Sequence, residues 1–280
     1  MGLIKGLAIG GTVTIVVVVI IVVPTVLLTR QEADFQETFM EKCLKFPEEK
    51  QVCESKWAAF EQAYVGKDEC NITEENYKLL FDQTPFKHPC GKTMFWSKTP
   101  DLVHKYTEKR DCLFSLEDTL LGYVLNHLKW CGKLGSKEYI GRSTDKLKTA
   151  NDPRIVAKTF TENCQECKLN PVDVFWKIAS TKFALHACDG ASVMLDGERP
   201  EPYDSNSFFG GVEVPNLQPP RVNNLTVVLV NPENGKNCTC ESLGNLRKDL
   251  DQKIGCTCRA VAKSHVEKCI KESTPCGACW

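Results

Sequence analysis

Sixteen cysteines, the first at Cys43 and the last at Cys279, constrain this 280-residue chain more than any other feature. A set this dense implies an oxidising compartment and a framework of disulfides, and argues against an ordinary cytosolic enzyme. The chain is also long enough to bury a core, and its 42% hydrophobic and 25% charged residues are those of a globular protein. Lys and Arg number 35 against 36 Asp and Glu, a net charge of −1. That balance leaves no basic field to hold nucleic acid, which is excluded as a partner.

The compartment implied by the cysteines agrees with the amino terminus. Gly6 to Thr29 carries no charge and is rich in Val and Ile, long enough to span a bilayer with some tilt. A cleaved signal peptide is the rival, but its apolar core runs only about 7–15 residues before a small-residue cleavage site. Lys5 lies before the span and Arg30, Glu32 and Asp34 after it, a weak positive-inside bias. Three glycosylation sequons, at Asn71, Asn224 and Asn237, fall on the same side as every cysteine. The expectation is a single-pass type II plasma-membrane protein with an extracellular C-terminal domain: a stub over 1–5, an anchor over 6–29, a stalk over 30–42 and an ectodomain over 43–280. Gly6 and Gly10 form a GxxxG pair that leaves a homodimer open.

Within the ectodomain the pattern changes near Cys188. Before it the signals are mainly helical. Ser115 and Asp118 form a capping-box-like start ahead of Leu120, Leu121, Val124, Leu125 and Leu128, and a second helix is predicted from Pro171 through Val174, Phe175, Ile178 and Phe183. After it, short β-type runs at Ser192–Leu195, Val212–Val214 and Leu225–Val230 alternate with helical patterns at Ser242–Ile254 and Val261–Lys271. The fold class expected is α+β. A mostly helical part over 43–187 packs on a smaller α/β part over 188–280 with a short, partly parallel sheet, behind one N-terminal transmembrane helix.

Generic catalytic signatures are missing: there is no GxSxG, HExxH, P-loop or GxGxxG. Cys164-x-x-Cys167 has the spacing of a redox pair, and Cys238, Cys240, Cys256 and Cys258 have the number for a four-thiolate zinc site. In an oxidising compartment both read better as disulfide halves, so no metal is expected.

The segment Leu116-Glu117-Asp118-Thr119-Leu120-Leu121-Gly122-Tyr123 resembles the signature of the ADP-ribosyl cyclase/cyclic ADP-ribose hydrolase family. Four further stretches agree with that family in order and spacing: Asn71 to Tyr77, Phe95-Trp96-Ser97, Asn170 to Lys177, and Phe209 to Val214 continuing into Asn216 to Pro219. The likeness covers roughly 43–270. The apolar N-terminus is similar to that of the family's vertebrate type II lymphocyte ectoenzyme, and the C-terminus lacks the hydrophobic tail of a lipid-anchored relative. The resemblance implies disulfides Cys43–Cys53, Cys70–Cys167, Cys90–Cys188 and Cys131–Cys164. It further implies one between the groups 238/240 and 256/258, such as Cys238–Cys258 or Cys240–Cys256, and one from Cys269 to Cys279 or Cys276. Cys112 is left without a family partner.

Members of that family cleave the nicotinamide–ribose bond of NAD, a reaction that leaves an oxocarbenium-like ribosyl centre and calls for a nearby carboxylate. By resemblance, Glu213 is the catalytic glutamate and Glu117 the acid that meets the nicotinamide amide and biases cyclisation against hydrolysis. Trp96 and Trp176 flank the nicotinamide, where indole rings stack on a planar cation. Ser97, Lys98, Asp118, Asn126, Ser180 and Phe209 complete the implied substrate contacts. Read without the resemblance, Glu213 is a residue on a short strand and Asp118 a helix cap. Trp57 and Trp130 are assigned to the core. Three positions depart from the family's pattern: Asn126 stands in place of an aspartate, Phe208 of a threonine and Pro100 of a lysine. The expected function is an NAD glycohydrolase and ADP-ribosyl cyclase that needs no cofactor, with NAD and also NADP as substrates. The alternative is a catalytically weak receptor or adhesion ectodomain of the same fold.

Overall fold

The computed structural model describes residues 35–46, 50–109, 112–130, 139–141, 167–233, 239–272 and 279–280. The chain divides into two compact units, one running up to Asn76 and including His127–Val172, the other made of Tyr77–Asn126 and Asp173–Trp280.

The first unit is built on helices α1 (35–45) and α2 (Lys50–Tyr64). Phe35 and Phe39 are four residues apart and so share one face of α1. They meet Trp57 and Phe60 of α2 at ring separations of 5.2 to 5.7 Å. Trp130, 1% exposed, sets its edge against Phe60, so Trp57 and Trp130 are both packing residues. Disulfides Cys43–Cys53 and Cys70–Cys167 lie in this unit. The second of these engages Cys167, which removes it from a redox pair with Cys164.

The second unit is built on a parallel sheet whose inner strands are largely covered on both faces. Helix α3 (Glu74–Asp82) enters it, and β1 (Thr93–Ser97), α4 (Pro100–Lys109) and α5 (Leu120–Leu125) follow. After the return at α6 (Pro171–His186) come β2 (Asp189–Asp196), β3 (Val222–Asn231), α7 (Gly244–Asp249), β4 (Gly255–Ala262) and α8 (Lys263–Lys271). The four strands lie in the order β1-β2-β3-β4, and every neighbouring pair is parallel. Strands buried on both faces read as unbroken apolar runs, as Val227 to Val230 of β3 do. Met94, Met194 and Val228 face Val103 and Tyr106 of α4 and Val266 and Ile270 of α8. One residue along, Phe95 points the other way onto Phe183 of α6 and onto Phe209. Disulfides Cys90–Cys188, Cys240–Cys258 and Cys269–Cys279 belong to this unit. Cys112 is disulfide-bonded as well, Cys256 is a free thiol, and Cys131 and Cys164 lie outside the described residues. With Cys240 and Cys258 bonded to each other, those four thiols do not form a zinc site.

Several expectations are corrected. Among the described residues no helix is long and apolar enough to cross a membrane. The longest complete one, α6, has 16 residues, about 24 Å at 1.5 Å per residue against a hydrocarbon core of about 30 Å. The expected span over 6–29 lies outside the described residues. The transmembrane helix, the signal anchor, the type II topology, the membrane-anchored state and the plasma-membrane localisation therefore have no support in the fold and are withdrawn.

The capping box at Ser115 and Asp118 does form, but it closes a 3₁₀ turn, Leu116–Asp118, rather than the helix. Thr119 then caps α5 by accepting from the Gly122 N–H, and Leu128 is in a strand that pairs with Tyr139–Gly141. Val212–Val214 is not a strand. Phe209–Glu213 forms a π-turn with the Val214 N–H on the Phe209 carbonyl. Gly210 permits it, because a Cβ there would lie 2.3 Å from the Asp204 carbonyl oxygen. Strands β1 and β4 were not foreseen: β1 is too short to display a period, and β4 lies at the sheet edge with none of its residues buried, so no apolar run marks it.

Candidate active site

Every catalytic and substrate-contact residue named from the sequence falls in the second unit. Trp96 and Ser97 end β1, at the carboxyl edge of the parallel sheet where α/β folds open their crevices. Lys98 follows with φ 62°, a left-handed turn that carries the chain into α4. Ser97 is buried and Lys98 exposed.

Glu117 sits in the 3₁₀ turn that packs on α4. Its Oε2 accepts a hydrogen bond from Trp96 Nε1 at 3.1 Å and lies 3.3 Å from His104 Nε2 of α4. The His104 contact is a close charge pair rather than an aligned hydrogen bond. Burial works to raise the Glu117 pKa, but His104 and the Trp96 N–H outweigh it and hold the carboxyl below its ordinary range. His104 is the reciprocal case: burial disfavours its charge, Glu117 overrides that, and the imidazole pKa is raised.

Glu213 ends the π-turn that packs against β1 and is 7% exposed. Burial pushes its pKa up to about 8; a hydrogen bond with the Ser180 hydroxyl opposes the rise and the charge of Glu117 adds to it. Ser180 is itself buried on α6. Trp176 precedes it by one helical turn and so lies on the same face of α6, with its ring edge-on to Phe175 and only partly buried. Trp96, Glu117, Ser180 and Glu213 are thus linked in one cluster. Two carboxyls in that cluster have pKa values pushed apart, the pattern by which one site keeps one acid ionised and another proton-bearing.

The other candidates separate from it. Asp118 is occupied as a cap, with Oδ2 2.7 Å from both the Ser115 N–H and hydroxyl. Phe209 is 1% exposed, its ring between Phe95 and Tyr203, which makes it a packing residue. Asn126 terminates α5, its N–H on the Gly122 carbonyl at 2.8 Å. Phe208 is 46% exposed just ahead of the π-turn. Of the sequons, Asn71 is exposed. Asn224 is half-buried on β3 with its amide donating to Thr226, and Asn237 lies outside the described residues. His104 was missed from the sequence. Its only signal is its place on α4, four residues beyond Pro100, and nothing in the sequence brings α4 to Glu117.

The family model for ADP-ribosyl cyclase matches residues 32–278. The chain belongs to the ADP-ribosyl cyclase family. It is 38% identical to mouse ADP-ribosyl cyclase/cyclic ADP-ribose hydrolase 1 over 222 residues, which are 76% of this chain and 68% of that protein. Against the rat protein of the same description the identity is 37%, over 72% of this chain and 63% of the relative. Its fold is similar to porcine CD38 bearing a covalent intermediate, ribo-F-ribose-5′-phosphate. That match has a TM-score of 0.68 and 35% identity over 82% of this chain and 96% of that one. It is also similar to Aplysia cyclase in complex with the substrate NGD and the product cGDPR, with a TM-score of 0.67 and 26% identity over 87% and 95%. The fold of this cyclase-family chain is thus shared over nearly the full length of both solved relatives.

Proposed function

We infer that this chain is an NAD glycohydrolase and ADP-ribosyl cyclase that breaks the bond between nicotinamide and ribose. The observation that carries this reading is the buried Glu213, held by Ser180 in a cluster with the ionised Glu117 and the indole of Trp96. Membership of the cyclase family supports it.

The chemistry follows from the charges. Nicotinamide in NAD is a cation and leaves as a neutral base, taking the electron pair of the C1′–N bond. Trp96 and Trp176 offer ring faces to that planar cation, and Glu117 offers it a carboxylate. The ribosyl carbon left behind is electron-poor, and Glu213 is the carboxylate that stabilises or captures it. With its pKa near 8, Glu213 holds a proton at rest. An arriving cation favours its ionised form, so binding and activation are coupled. Attack by water on the held ribosyl group gives ADP-ribose, and attack by the adenine of the same molecule gives cyclic ADP-ribose. NADP presents the same bond.

The test is to incubate the full chain with NAD and separate the products by chromatography. Nicotinamide with ADP-ribose and cyclic ADP-ribose is expected, and Glu213→Gln should release about 10²-fold less or lower still. Folded wild-type chain that releases no nicotinamide, or Glu213→Gln that releases as much as wild type, would sink the reading.

A further inference from the structure

We propose that His104 is a positioning residue that holds Glu117, as its counter-ion, at the nicotinamide end of the site; the proposal rests on the functional reading above.

Two groups converge on one oxygen of Glu117. Trp96 Nε1 donates to Oε2 at 3.1 Å, and His104 Nε2 lies 3.3 Å from the same atom. The two rings also meet each other, edge to face at 5.4 Å and 87°. Imidazole, indole and carboxylate therefore form a closed three-member contact, with the His104 and Glu117 side chains only 26% and 12% exposed. Both rings hold the same oxygen, Oε2. A bare Nε2 lone pair 3.3 Å from the carboxylate oxygen would be repelled by it, so the contact favours the protonated nitrogen.

The surroundings favour the charged imidazole. Glu117 and Asp118 face it from the 3₁₀ turn and Asp101 from its own helix, all acidic, and their sum outweighs burial. From β1 it meets the neutral Trp96. The charged residues that α8 brings toward α4, Lys263, Glu267 and Lys271, line a cleft with Asp101 and Lys105 in which His104 takes no part.

This ion pair has two consequences. Glu117 stays fixed on the nicotinamide side, where it governs how the held ribosyl group is partitioned between water and adenine. The imidazolium also offsets the charge that Glu117 exerts on Glu213. Without it, Glu213 faces a bare carboxylate and is harder to ionise.

Two measurements on the full chain test this. The first follows the His104 ring resonances by NMR across pH in wild type and Glu117→Gln, with the His104 signals assigned by their loss in His104→Gln. The His104 midpoint should fall by about one unit or more when the carboxylate is removed, and an unchanged midpoint overturns the proposal whether or not the chain turns over NAD. The second compares wild type with His104→Gln, which keeps a donor but no charge. The acid limb of kcat/KM for nicotinamide release should move to higher pH, and the ratio of cyclic to linear product should change severalfold. A purely structural histidine would lower activity without moving the limb, and an unmoved limb and ratio overturn the proposal. If His104→Gln does not fold, the His104 ring signals are assigned instead by through-bond correlation to the His104 backbone, and the titration of wild type against Glu117→Gln decides alone. If wild type releases no nicotinamide while the Glu117→Gln titration behaves as expected, the ion pair stands and the functional reading falls.

Discussion

Replacing Glu213 with Gln separates what the residue does for catalysis from what it does to the fold. An acid whose pKa rises from 4.5 to about 8 on folding binds its proton more tightly in the native state than in the unfolded one. Stability is therefore complete below pH 4.5, falls as pH climbs through the interval, and levels off above about 8. At 1.36 kcal/mol per unit that interval corresponds to roughly 5 kcal/mol. Gln fills nearly the same volume and never ionises. Thermal unfolding of both chains followed by circular dichroism at pH 5, 7 and 8.5 should give nearly equal Tm values at pH 5. The mutant's advantage should widen to about 10 °C at pH 8.5, at the usual 2–4 °C per kcal/mol for a domain of this size. Nicotinamide release should fall in parallel by about 10²-fold or more, the usual consequence of removing a preorganised charge at a reacting centre. Parallel Tm curves across the three pH values would refute the claim that Glu213 is buried and proton-bearing at rest.

Acid should weaken the fold through a different residue. Burial, and then the charge of His186, lower the His88 pKa from 6.5 to about 4, so its contribution is present above pH 6.5 and lost as pH falls toward 4. His88→Gln should flatten urea-measured stability over that range. Gly122→Ala would place a Cβ 1.9 Å from the Leu116 carbonyl oxygen, and should cost about 2 kcal/mol or more in urea denaturation while displacing the Glu117 turn. Breaking Cys90–Cys188, which closes a separation of 98 residues, by Cys90→Ser with Cys188→Ser should lower stability by about 3–5 kcal/mol in the same assay.

What the sequence displayed and what it hid follow from the range of each interaction. Helix α6 was legible because Val174, Phe175, Ile178 and Phe183 repeat at helical spacing and are all buried. Strand β3 was legible because both its faces are covered and the apolar run is unbroken. The π-turn was not, since what opens it is the approach of the Asp204 carbonyl to Gly210, a contact made only once the loop has folded. Asp118 was named both as a site acid and as a cap; the capping contacts are local, three residues apart, and they hold it. The roles of Trp96, Trp176, Glu117 and Glu213 came from family resemblance, because the pairings that join Trp96 to Glu117 and Ser180 to Glu213 span long stretches of chain. His104 shows the gap most clearly: no motif marks it, and only the packing of α4 against the Glu117 turn brings it to the site.

In the proposed reaction Glu213 holds the ribosyl group after nicotinamide departs. This is tested most directly by adding isotopically labelled nicotinamide to the full chain during turnover of unlabelled NAD. A held ribosyl group can be recaptured by free base, so label should enter the NAD pool at a rate that rises with nicotinamide concentration while the yield of ADP-ribose falls. Continued nicotinamide release with no label in NAD would mean that water displaces the base directly, and would contradict the account.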